Sequence, residues 1–178
     1  MIWVRSWPET IPPLRPYVVD QLRHLIIQNG DLATGWNQLQ GLWQDREPGE
    51  HGVILVEWDV AYGEREAQVM NGHALNFPDR VAVAPYRKNG VWIHSDGALP
   101  GESWIQELQA HCDHFALGLT YLPWTLLQEF VTARQDLFDR RLTDWRMTDT
   151  NLSLFHYRTR GPGRVDVLWD ARPVHLGW

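Results

Sequence analysis

Residues 52–64 read Gly52-Val53-Ile54-Leu55-Val56-Glu57-Trp58-Asp59-Val60-Ala61-Tyr62-Gly63-Glu64. Val53, Ile54, Leu55 and Val56 form a short continuous apolar run, the pattern of a strand covered on both faces in a parallel α/β sheet. Glu57 and Asp59 are two residues apart, so an extended chain turns both carboxylates to one side and Trp58 to the other. Open α/β sheets bind ligands at the carboxyl ends of their strands, and two carboxylates there could hold a hard divalent cation. The plainer alternative is that strand ends carry acids because the chain is emerging into solvent.

Around this strand the sequence alternates strand-like and helix-like segments. Residues 1–7 suit a first strand, with Ile2 and Val4 on one side. Leu14, Val18, Leu22, Leu25 and Ile26 follow helical spacing and predict a helix over 14–26, ended by Asn29-Gly30. Leu25-Ile26-Ile27 alone would equally suit a short strand. A second helix is expected over 32–44, a short one over 64–70, and strands over 81–85 and 91–93 joined by a hairpin containing Asn89-Gly90. Further helices are expected over 103–111 and 124–141, with an apolar crossing segment over 115–122 between them. Residues 148–151 look like the N-cap of a helix over 152–160 that Gly161-Pro162-Gly163 stops, and a last strand follows over 165–169.

The chain has 178 residues, enough for one domain spanning 1–178 with a sizeable core. Its 44% hydrophobic and 21% charged residues suit a globular protein rather than a disordered one. No apolar run reaches the length of a membrane span and no secretion signal opens the chain, so a cytoplasmic protein without a membrane span is expected. Cys112 is the single cysteine, which excludes an internal disulfide and a cysteine-rich zinc site. The net charge of −6 argues against a long nucleic-acid track but not against a local basic groove. Eleven tryptophans are several times ordinary usage, and exposed ones would offer flat faces to sugars or bases.

Three features distant in sequence could meet in space: Glu57 with Asp59, Asp149, and His175. Each has a structural explanation as well. Asp149 could simply cap a helix, and His175 could be a packed histidine in an apolar closing segment. His111, Asp113 and His114 form a close triplet, but converge on a metal only if their backbone is extended. No nucleophile elbow, phosphate-binding P-loop or His-Glu-x-x-His run is present.

The order of these features resembles the inverting GT-A-fold glycosyltransferases of the broad family-two type. The stretch from Asn29 to Asn37 resembles that family's glycine- and asparagine-bearing element, and the strand ending in Glu57-Trp58-Asp59 its acidic metal motif. Thr148-Asp149-Thr150-Asn151-Leu152-Ser153-Leu154 resembles its Glu-Asp helix start, and Arg172-Pro173-Val174-His175-Leu176-Gly177-Trp178 its closing segment. The resemblance runs from about residue 29 to the C-terminus. It departs at Thr148, where the family has Glu. Before Glu57 the family has two strand–helix units, with an acid after the second strand gripping the base; no second strand and no such acid are evident here.

The resemblance implies a GT-A-like (Rossmann-like) α/β fold, a mixed sheet flanked by helices, and transfer of a sugar from a nucleotide-sugar donor with inversion. It implies Mn²⁺ or Mg²⁺ held by Glu57, Asp59 and His175, with Asp149 as the general base. Arg5, Ser6, Asn37 and Trp58 would lie on the donor side, and Trp104, Trp124 and Trp145 could stack on the acceptor, although each suits a place in the core at least as well. The acceptor itself is open: a small molecule, a glycan, a protein or a modified nucleic acid. Competing readings are a non-catalytic module of the same fold and a metal-dependent phosphoesterase or nuclease.

Overall fold

The computed structural model describes residues 2–7, 23–28, 41, 43–57, 60–88, 91–93, 106–133 and 146–175. At 2–7, 23–28, 88, 93, 131 and 146–151 only the backbone is described. Strands β1 (Ile2–Trp7), β2 (Arg23–Gln28), β3 (Gly52–Val56), β5 (Val81–Val83), β8 (His111–Cys112), β9 (Leu119–Pro123) and β10 (Val165–Val167) form one seven-stranded mixed sheet. Its order is β2-β1-β3-β9-β5-β10-β8. β1 pairs parallel with both β2 and β3, β9 runs antiparallel to β3 and β5, β10 is parallel to β5, and β8 is antiparallel to β10. Two small sheets complete the strands: β4 (Val60–Ala61) with β11 (Val174–His175), and β6 (Tyr86–Lys88) with β7 (Val91–Ile93).

The sheet is covered on both faces, as the unbroken apolar run of β3 requires. Val53 and Leu55 point to one face, with Val81, Val83, Leu122, Val165 and Val167. There α2 (Trp124–Ala133) presents Leu126, Leu127 and Phe130, and α3 (Arg146–Arg160) presents Leu152. Ile54 and Val56 point to the other face, with Ala82, Ala84, Leu119 and Tyr121, under Ala67, Met70 and Ala74 of α1 (Glu64–Asn76). The period-two alternation of each strand thus feeds two cores separated by the sheet. A fully buried side chain such as Phe130 or Met70 contributes about 1.5–3 kcal/mol.

Local chemistry explains where the helices start and stop. Glu66 reaches back from the third helical position of α1 to the backbone N–H of Gly63, at 2.8 Å, and Glu64 and Glu66 complement the positive end of the helix. Pro78 ends α1, because it has no N–H to donate and disfavours helical geometry before it. α3 ends at Gly161, whose φ of +83° suits glycine and whose N–H returns to Tyr157 O at 2.8 Å.

Several sequence expectations change. Residues 23–28 are a strand paired with β1, not the end of a helix, so the strand alternative for Leu25-Ile26-Ile27 is the correct one. The helix expected over 103–111 is absent from 106–111, where a turn leads into β8. α3 begins at Arg146, so Thr148 to Asn151 lie inside the helix and Asp149 is not its N-cap. The helix over 64–70 continues to Asn76, and the strand over 165–169 stops at Val167. No helix among the described residues is long and apolar enough to cross a membrane.

Candidate functional site

β1 stands between β2 and β3, and the chain departs from it to opposite sides. That makes the carboxyl ends of β1 and β3 the switch point, where open α/β sheets leave a crevice. Arg5 of β1 is the register partner of Val56 of β3, so Ser6 and Glu57 follow at the same level. The backbone therefore brings Arg5, Ser6 and Glu57 to one end of the sheet. Glu57 itself is half-buried there.

Immediately beyond Glu57 the chain is pinned. The N–H of Glu57 donates to Gly118 O at 2.9 Å, and the N–H of Val60 returns to Glu57 O at 3.2 Å. Val60 then pairs with His175, and Ala61 with Val174, in the antiparallel β4–β11 sheet. His175 thus stands beside the corner that holds Glu57, although more than a hundred positions separate them in sequence. Its ring stacks on Tyr86, with centroids 4.9 Å apart and planes 17° from parallel. Tyr86 is 1% exposed, and a Cβ on Gly118 would lie only 3.1 Å from its ring, so the chain at Gly118 passes close to that tyrosine. Glu57, Gly118, Tyr86, His175 and Val60 form a closed circuit of contacts. Stacking occupies the face of the imidazole, whereas metal coordination would use its edge.

Glu66 braces the same corner from α1. Its carboxylate accepts from Gly63 N at 2.8 Å and from Arg172 N at 3.4 Å, tying the segment after β4 to the segment before β11. A second tie joins Arg65 to Asp170 at 3.1 Å, in an exposed pair worth little by itself.

The predicted site residues separate into groups. His175 pairs with Val60 next to the corner that holds Glu57, and the backbones of Arg5 and Ser6 end beside that corner. Asp149 lies in the first turn of α3, a helix packed on the core through Leu152, but its side chain is outside the described residues, as are Asn37, Trp58, Asp59, Trp104 and Trp145. Trp124 is corrected: it is 4% exposed within the core, where no ring face is open to a sugar. Among the described residues no three His, Cys, Asp or Glu side chains gather as a metal site. A carboxylate and an imidazole are donor types that suit Mn²⁺. Tyr86, Gly118 and Glu66 were not singled out in the sequence. Tyr86 looked like a turn residue, and only its place after the apolar 81–84 run marked it as buried.

The His111, Asp113, His114 triplet diverges. His111 Nδ1 meets Asp166 at 2.8 Å, Asp113 accepts the Gly163 N–H at 2.7 Å, and His114 packs inward against Ser153 and Tyr157. Cys112 is buried, and burial chiefly, with Asp113 adding, pushes its thiol up to about 12, so it is an unreactive core residue.

His156 on α3 is the most perturbed histidine among the described residues. Burial, then the charges of Arg160 and His114, pushes it down from its ordinary 6.5 to about 4, and its Nδ1 is buried with no partner among the described residues. A folded-state value below the unfolded one means that the unfolded chain takes the proton first. Stability from this group is full above about pH 6.5 and falls as pH drops toward 4, by on the order of 3 kcal/mol. Urea unfolding at pH 7.5 and pH 4.5 should show a smaller loss for His156→Phe than for the wild type. Equal losses would remove His156 as the cause.

No family model matches the chain, and no curated protein sequence matches it. Among solved structures the chain is similar to A197 from STIV, a viral protein, with a TM-score of 0.61 and 14% identity. The match covers 98% of this chain and 85% of that one. At that identity the likeness is one of fold.

Proposed function

We propose that the protein is a metal-dependent, inverting glycosyltransferase with a GT-A-like fold, taking its sugar from a nucleotide-sugar donor. The observation that carries this reading is the pairing of His175 with Val60, which brings the closing histidine to the acidic corner at the β1–β3 switch point. A second observation supports it. β2 supplies the second parallel strand that the resemblance calls for, and Asp31 follows its last residue, Gln28, by three positions. Asp31 lies outside the described residues, but its position in the sequence is the one at which the family's base-gripping acid is expected, and the backbones of Arg5 and Ser6 end at the same side of the sheet.

On this reading Glu57, Asp59 and His175 hold Mn²⁺ or Mg²⁺, with the nitrogen ligand favouring Mn²⁺. The bound cation supplies Lewis-acid neutralisation of the charge on the departing nucleoside diphosphate. Asp31 orients the base, and Arg5 is available to a phosphate. Asp149 accepts the proton of the acceptor hydroxyl while its oxygen attacks the anomeric carbon from the face opposite the nucleotide. A single displacement inverts that carbon and needs no covalent intermediate.

The test is calorimetric titration of nucleoside diphosphates with and without Mn²⁺. Binding should require the metal and be lost in Asp59→Ala. Metal-independent binding, or unchanged affinity in that variant, would count against the assignment.

A further inference from the structure

We draw no further inference here: the strongest candidate, the side-chain cluster of His73, Arg80, His111 and Asp166 where α1, the turn before β5, β8 and β10 meet, has its buried carboxylate satisfied from within by Arg80 and His111, and nothing among the described residues shows what would bind beside it.

Discussion

Gly52→Ala should destabilise the protein by about 3–4 kcal/mol, a large share of the ~5–15 kcal/mol that ordinarily separates folded from unfolded chains. A Cβ at Gly52 would lie 2.5 Å from Leu122 O, 2.5 Å from Tyr121 Cε2 and 2.6 Å from the Tyr121 hydroxyl. Leu122 O belongs to the backbone of β9, so it cannot give way without parting β9 from β3. Tyr121 is fully buried, and its hydroxyl donates to Pro78 O at 2.8 Å, so turning it aside breaks that bond. Gly72 is the control. It sits inside α1 with nothing within 4 Å of a Cβ, so Gly72→Ala should stabilise by up to about 1 kcal/mol. Urea unfolding midpoints of the two variants should move in opposite directions. A Gly52→Ala protein as stable as the wild type would contradict the close approach of β3 to Tyr121.

The second large effect is chemical. Asp149→Asn should lower sugar transfer by about 10²–10⁴-fold while leaving Mn²⁺-dependent nucleotide binding unchanged. The amide keeps the size and polarity of the carboxylate but cannot take a proton from an acceptor hydroxyl. The backbone of Asp149 lies near the described start of α3. Measuring turnover and nucleotide affinity on one preparation separates the two roles. Full turnover by the variant would remove Asp149 from the base role, and lost affinity would assign it to binding instead.

What could be seen in advance was whatever the sequence states locally. The apolar run of β3 and the glycine stop of α3 are each written in a few adjacent residues; the hairpin partner of 91–93 is 86–88 rather than the expected 81–85, whose residues 81–83 join the main sheet. β2 was hidden because Leu14, Val18, Leu22, Leu25 and Ile26 satisfy a helical period. The pairing of 23–28 with β1, a contact with the far side of a connection, decided for the strand. The turn at 106–110 was mistaken for part of a helix because β8 pairs with β10, more than fifty residues later. Asp149 resembled a cap because Thr148 to Asn151 are all capping residues, yet the helix had already begun at Arg146.

The candidate site shows the same division. Glu57 was legible as an acid at the end of a buried strand. Its partner His175 was not legible from spacing, since no local pattern announces that Val60 will pair with the closing segment. Only the order of motifs along the chain connected them. Of the two places the sequence left open for Trp124, the first turn of α2 carries it into the core.

Electron paramagnetic resonance of Mn²⁺ bound to the protein with a nucleoside diphosphate tests the central claim most directly. One Mn²⁺ per chain should bind, with a nitrogen hyperfine coupling from an imidazole that disappears in His175→Ala. A Mn²⁺ signal without nitrogen coupling, or a coupling that persists in His175→Ala, would contradict a cation held between the acidic corner and the closing strand.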